Sequence, residues 1–473
     1  MKISDQVSSW FEGFSKLPLP VYLVGGAVRD FIILRESKDL DIVCNDAYYL
    51  SKILQKKHNA TIVNLFKNDE IKSTYRVVRK VKTGLHDEID ISSFQGKDII
   101  EDLSNRDFTI NAMAISINKE GKFEKLIDPF NGKSDLLENK IVRMVSPESL
   151  KNDPLRILRA YRFSAVLDFK IESKTKDMIK KYLNLLDNVA SERKLVELKG
   201  IVKSDKAYKT ILDMDLDKVL ETIFPEILLM KGCGQNTFHH LDVWDHSLMT
   251  LQECEKILSN IDDYFGNYEE PIKSYLNAND HIYLLKLAAL LHDIGKPCAR
   301  KIIENKVVFY EHEHIGAEII RNIGERLKMS NYEIDYLYKI IDGHMRPLGL
   351  NDSKVKQKTL FRWFREVYDD SIAILILSIA DANSALGKSS SIEEKIELIK
   401  WVKETLKLYF DGIKNSFQKP SLITGNDLIQ IGVLPGPNMG NLLKIIREMQ
   451  DIGEITTKEN ALEYIRKMLS MPS

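Results

Sequence analysis

At 473 residues the chain is longer than one hydrophobic core ordinarily fills, so roughly two to four domains are expected. Hydrophobic residues at 44%, charged residues at 29% and a net charge of −1 describe an ordinary globular protein, and leave any contact with nucleic acid to local basic patches. The first apolar run, Val21–Val24, is too short for a signal peptide or a membrane span, which predicts a cytoplasmic protein with no membrane contact. Cys44, Cys233, Cys254 and Cys298 form no CxxC pair, so they are expected to be reduced structural thiols.

In chain order, strands are expected at Val21–Val24, 40–43, 60–63, 75–81 and 88–91, interleaved with helical segments, which makes an α/β domain. After about Ser149 the strand signal gives way to a helical repeat, as in Leu155, Leu158, Ala160, Tyr161 and Phe163. The remaining two thirds are expected to be nearly all helical. Gly, Pro and Ser clusters place breaks at 231–234, 387–391 and 434–437. No internal repeat or low-complexity tract stands out.

Chemistry first enters at Leu23-Val24-Gly25-Gly26-Ala27-Val28-Arg29-Asp30. A strand ending in two glycines lets backbone amides approach a triphosphate, and Arg29 on the helix that follows adds charge-assisted contacts. Lys38-Asp39-Leu40-Asp41-Ile42 comes next. Asp39 and Asp41 stand two apart in a strand, so their side chains share one face and can hold two magnesium ions about 3.5 to 4 Å apart. One ion would activate a primer 3′-hydroxyl, and the other would bridge the phosphates of a nucleoside triphosphate and stabilise the leaving pyrophosphate.

These segments resemble the DNA polymerase beta-like nucleotidyltransferases and, among them, the class II tRNA nucleotidyltransferases and bacterial poly(A) polymerases. The likeness continues through Arg106-Asp107-Phe108-Thr109-Ile110-Asn111-Ala112-Met113-Ala114 and Ile127-Asp128-Pro129-Phe130-Asn131-Gly132 with Asp135-Leu136. It ends with Asn152-Asp153-Pro154-Leu155-Arg156-Ile157-Leu158-Arg159-Ala160-Tyr161-Arg162-Phe163. The resemblance implies addition of CCA to the 3′ end of tRNA from CTP and ATP without a template, with CC-only or poly(A) addition as alternatives. It gives Asp39 and Asp41 the catalytic role with Mg2+, and Gly25, Gly26 and Arg29 the triphosphate. Arg106 and Asp107 match the segment that senses the ribose, and Asp90 falls where a third carboxylate stands in some relatives.

Asp153 and Arg156 resemble the pair that reads the incoming base. A carboxylate accepts from the exocyclic amine of C or A while a guanidinium donates to the adjacent ring nitrogen; U and G present the opposite pattern. Arg159 and Arg162 follow at helical spacing and are expected to line the same groove towards the phosphates. Three departures stand out. Asn105 replaces a first arginine, Asn152 replaces a glutamate, and the link from Phe94 to Asp102 is shorter than the mobile loop of many CCA-adding relatives, as in CC-adding ones.

Further on, His246, the pair His292-Asp293 and Asp381 resemble the ligand pattern of HD phosphohydrolases, with His312 and His344 placed to serve a second ion. Imidazoles with carboxylates suit a divalent transition metal that activates water, although such a metal can also be purely structural. An HD hydrolase acting on damaged RNA ends is therefore the rival reading from another class. The segments Leu422-Ile423-Thr424-Gly425-Asn426-Asp427-Leu428 and Gly432-Val433-Leu434-Pro435-Gly436-Pro437 resemble the tail of HD-bearing relatives. The expected architecture is α+β and multidomain. A polymerase beta-like head spans 1–145, a helical neck that reads bases and binds RNA 146–230, an HD body 231–390 and a helical tail 391–473.

Overall fold

All five expected strands form, with ends shifted by one or two residues, and two more complete a seven-stranded sheet. In this computed structural model β1 is Val21–Val24, β2 Asp41–Cys44, β3 Thr61–Asn64, β4 Thr74–Lys80, β5 His86–Ser93, β6 Ala114–Ile117 and β7 Phe123–Ile127. The structure describes residues 3–13, 17–18, 20–37, 39–65, 74–80, 86–235, 241–304, 306–352, 355, 357–385, 391–414, 417, 419–451 and 453–470. Residue 81 of the fourth expected strand, Lys38, and 387–390 of the second expected break lie outside them. The chain forms two compact units, Met1–Thr222 and Ile223–Ser473.

In the first unit the strand order is β3-β4-β5-β2-β1-β6-β7, antiparallel except for the parallel pair β2–β5. β1 lies inside the sheet, between β2 and β6, where Val21, Leu23 and Val24 are fully buried. β6 escapes the sequence reading because it follows directly on Ala112-Met113-Ala114, which carries helical propensity, and pairing with β1 decides it as a strand, on which β7 then pairs. The register puts Val24 opposite Asp41 on one side and Ala114 on the other. Gly25-Gly26 therefore turns beside the start of β2, where Asp41 stands.

Helices α1 (Ile3–Phe11), α2 (Gly26–Ile32), α3 (Ala47–His58) and α4 (Ile99–Ser104) belong to this part, and Val24, Val43, Ile99, Leu103 and Ala114 form one buried cluster of its core. Beyond the sheet the expected helical repeat becomes the helix Arg156–Leu167, which buries Ile157, Leu158, Ala160, Tyr161 and Phe163. The Asp-Pro-Phe-Asn-Gly motif is a packing device. Asp128 accepts from the amides of Gly132 and Lys133, and a Cβ on Gly132 would sit 2.1 Å from the Thr109 carbonyl oxygen.

Among the described residues the second unit is helical but for one hairpin, Lys301–Ile303 with Lys306–Val308, and an isolated bridge between Gly234 and Asp242, in line with the expectation of a nearly all-helical body. β-branched residues on both arms and a left-handed Glu304 (φ 50°) favour the turn. A smaller exception in the first unit is the parallel pairing of Ile141–Val142 with Lys170–Ile171. The tail has a core of its own, in which Leu428, Ile446, Ala461 and Ile465 are buried. Among the described residues no helix is long and apolar enough to cross a membrane. The cysteines are free; burial pushes the Cys44 and Cys254 thiols up to about 12.

Candidate functional site

Gly25 closes β1 at φ 69°, and a Cβ there would lie 2.9 Å from Arg106 Nη1 and 3.5 Å from Asp41 Oδ2. Only glycine lets the backbone pass between these charges. It opens one wall of a cavity of about 420 Å³ whose lining includes Gly25, Gly26, Arg29, Asp39, Asp41, Arg106, Asp107, Asp153, Arg156, Arg159 and Arg162. Residues separated by more than 130 positions in sequence thus share one surface.

Asp39 is exposed at the edge of the cavity, where its carbonyl accepts from Ser37 Oγ at 2.9 Å. Asp41 is half-buried at the first position of β2. Burial raises its carboxyl above the ordinary value; Arg106 and Arg159 oppose the shift, and Asp90 and Asp39 add to it. Two hard oxygen donors beside an open cavity suit a divalent ion that takes its other ligands from phosphates and water. Asp90 stands beside Asp41 in the parallel register, but both of its oxygens are held by Arg76, each at 2.8 Å, and it does not line the cavity. The structure therefore occupies this carboxylate with an arginine.

Positive charge comes from five arginines, each anchored from behind. Arg29 donates to Asn111 Oδ1 and Asp30, Arg106 to buried Asp102 and Arg162 to buried Glu197, while Arg159 forms an ion pair with buried Asp107 at 2.8 Å. Arg156 donates to the Asn105 carbonyl at 2.9 Å, and burial lowers its guanidinium from the ordinary value. Burial works to raise Asp107, but Arg159, hydrogen bonds from Asn111 and the Phe108 amide, and Arg156 together hold it below the usual carboxylate range. Phe163 lies under three guanidinium groups, with Arg162 4.5 Å, Arg29 5.3 Å and Arg159 5.7 Å from its ring centroid. Sequence reading gave no role to Phe163, Asn111 or Asp102, although each lies within a few residues of an arginine or aspartate that it did single out.

Asp153 caps the helix Pro147–Asn152, and its two oxygens accept from Arg193 Nη2 at 3.0 and 3.3 Å. The Phe94-to-Asp102 link is tied down throughout. Gln95 N donates to Asp102 Oδ1, Lys97 N to Glu101 Oε2, and Asn105 Nδ2 to the Gln95 carbonyl.

In the second unit His246, His292, Asp293 and Asp381 converge, joined by His312 and His344. His246 Nε2 lies 2.9 Å from Asp381 Oδ1, and His292 Nε2 lies 3.2 Å from Asp293 Oδ2. The other Asp293 oxygen, Oδ1, faces His312 Nε2 at 3.3 Å and His344 Nε2 at 3.8 Å. The far ring nitrogens are fixed. Nδ1 of His292, His312 and His344 sits 3.0, 2.8 and 2.6 Å from the carbonyls of Ala289, Phe309 and Ile341, and Nδ1 of His246 is 3.1 Å from Ser384 Oγ. With Nδ1 tied up, each imidazole directs Nε2 at the centre, among carboxylate oxygens, where loss of a proton frees a lone pair for a cation. That arrangement suits a cation. Two groups, His246 with His292 and Asp381, and His292 with Asp293 and His344, have ligand atoms within 4.8 Å of one another. Burial lowers the His344 imidazole to about 3, with the neighbouring His292 adding to the effect.

Three stretches match known domains: residues 21–143 the poly(A) polymerase head domain, 168–230 the "Probable RNA and SrmB- binding site of polymerase A", and 243–386 the HD domain. The head and HD matches imply dependence on divalent metal. An A-adding tRNA nucleotidyltransferase of Deinococcus radiodurans is 29% identical over 95% of this chain and 97% of its own length. A CC-adding tRNA nucleotidyltransferase of Thermus thermophilus is 26% identical over 95% and 93%. The multifunctional CCA protein of Legionella pneumophila is 31% identical over 69% of this chain and 75% of its own. The solved Thermotoga maritima CCA-adding enzyme, complexed with tRNA, shares the fold at a TM-score of 0.60 and 23% identity, covering 99% of this chain and 93% of that one. A head, an RNA-binding segment and an HD domain in this order, with identity above 30% across three quarters of a curated relative, place the chain in the tRNA nucleotidyltransferase family.

Proposed function

We propose that the chain adds CCA to the 3′ end of tRNA from CTP and ATP, releasing pyrophosphate, in the cytoplasm. One observation carries this reading. A single cavity in the first unit joins two carboxylates, a glycine turn, anchored arginines and the Asp153–Arg156 pair. Gly25 and Gly26 bring backbone to the triphosphate, while Arg29, Arg106, Arg159 and Arg162 offset its charge. Asp107, rigidly held, sits with Arg106 where a ribose hydroxyl is sensed. Asp39 and Asp41 would hold Mg2+, which when bound supplies Lewis-acid charge at the phosphates and the primer hydroxyl. The division into head 1–145, neck 146–230, HD body 231–390 and tail 391–473 is supported by the three matched stretches.

Asp153 and Arg156 would choose the base by hydrogen bonding alone. Asp153→Ala is expected to relax exclusion of UTP, because each lost or mismatched contact is worth about 1 to 3 kcal/mol of discrimination. Competition between CTP and UTP checks this; a selectivity equal to wild type removes Asp153 from base reading.

Partial addition is the second reading, favoured by two observations. The D. radiodurans A-adding and T. thermophilus CC-adding enzymes each match nearly the whole chain, and the Phe94-to-Asp102 link is pinned. Switching from C to A requires some element to move. Incubating the protein with tRNA ending before, within and after CC, together with CTP and ATP, and sequencing the ends separates the cases. Complete CCA ends are expected. Products ending at CC, or extension of CC-ended tRNA alone, would establish a partial enzyme.

In the second unit His246, His292, Asp293 and Asp381 would hold a divalent transition metal, with His312 and His344 placed for a second ion on the other oxygen of Asp293. Phosphoesters at RNA ends are the proposed substrates there.

A further inference from the structure

We propose that the end of the tail is an arm latched to the HD body through an ionic seam, able to leave the body without unfolding. The arm runs from Leu422 to Ser470 and holds the helices Gly425–Gln430, Pro437–Asp451 and Lys458–Ser470. Its buried core spans Ile423 to Ile465, and the partly buried residues packed against that core, from Leu422 to Leu462, belong to the arm as well. The arm therefore carries hydrophobic stability of its own.

The seam forms where two amphipathic helices meet through their charged faces. On the body, the helix Gln357–Val367 buries Trp363, Phe364 and Val367, which leaves Lys358, Arg362 and Arg365, four and three positions apart, on the opposite face. On the arm, Pro437–Asp451 turns Leu442 and Ile446 into its own core and Glu448 and Asp451 outward. Arg362 donates to both oxygens of Glu448 at 3.1 and 3.0 Å, and Lys358 Nζ stands 3.4 Å from one of them. Arg365 pairs with Asp451, whose other oxygen lies 3.4 Å from Arg447 Nε of the arm. Phe417, in the segment joining body to arm, is gripped from both sides. The Arg365 guanidinium lies 4.8 Å from its ring centroid, and its carbonyl accepts from Arg447.

Such a seam is balanced between two states. Docking strips water from Glu448 and Asp451, and buried ion pairs recover little more than the hydration lost, whereas a removed partner leaves an uncompensated charge. Lys358 and Arg362 are 41% and 55% exposed, so salt reaches the outer half of the seam. An apolar interface would not loosen in this way.

Double electron–electron resonance on the full chain, with spin labels on Ile302→Cys and Leu469→Cys and with Cys233 and Cys298 replaced by serine, reads the distance between body and arm. Both labelled positions are exposed. Wild type is expected to give one distance at low salt and a second, longer population at about 1 M, where the screening length falls to about 3 Å. Arg362→Glu and Glu448→Arg are each expected to lower the docked-to-released ratio at low salt by about tenfold or more, and the two changes together to restore most of it. Hydrogen exchange at the Ala461 and Ile465 amides should stay as slow as in wild type throughout, because the arm moves as a folded piece. A distance unchanged by salt, or in either single variant, overturns the proposal, as does failure of the double variant to dock again. Loss of exchange protection at Ala461 and Ile465 together with release also overturns it, since the arm would then be unfolding.

Discussion

Asp39→Asn and Asp41→Asn are each expected to slow nucleotide addition by roughly a hundredfold to ten-thousandfold while the fold stays intact. The rate loss follows from the donor set. The described lining of the cavity holds five arginines, and Asp39 and Asp41 line it with the glycine turn. Asparagine keeps the shape but removes the charge that would hold a divalent ion. The stability expectation follows from the burial of Asp41. Its carboxyl is raised chiefly by burial, with Asp90 and Asp39 adding to the shift, so a neutral side chain relieves crowding among like charges. A thermal midpoint at or above that of wild type, with addition to a CCA-lacking tRNA nearly abolished, is the expected pair of results. Near-normal addition by either variant would remove these residues from the chemistry.

The second large effect is expected at the HD cluster. His292→Ala and Asp293→Asn should each abolish bound divalent metal and any hydrolysis of cyclic or terminal phosphate esters, while nucleotide addition continues. Asp293 is the residue on which the cluster turns. One oxygen faces His246 and His292, the other faces His312 and His344, and Lys296 Nζ sits 2.6 Å from Oδ2. Burial opposes its ionisation, yet the His292 and Lys296 charges hold it well below the carboxylate range. Elemental analysis of the purified protein, with and without each substitution, reads metal directly and does not depend on a chosen substrate. Wild-type metal content in both variants would remove the cluster as a metal centre. Loss of nucleotide addition with an unchanged melting profile would show that the two activities are coupled.

Local chemistry made much of this protein legible from sequence. A strand ending in Gly-Gly, two aspartates two apart and an Asp-Pro-Leu-Arg segment each announce their geometry within a few residues, because strand alternation and helical spacing are short-range rules. The five strands and the long neck helix were readable for the same reason. Other features depend on partners far away in the chain. β6 forms because β1 offers an edge, Asp90 is occupied because Arg76 crosses from β4, and Arg193 meets Asp153 from 40 positions away. Sequence determined which charged groups this protein has and where the five expected strands and the neck helix lie; tertiary structure decided which of those charges are already paired and which face the cavity. The physical reason is that an ion pair depends on distances of about 3 Å, set by packing between elements that no local pattern encodes.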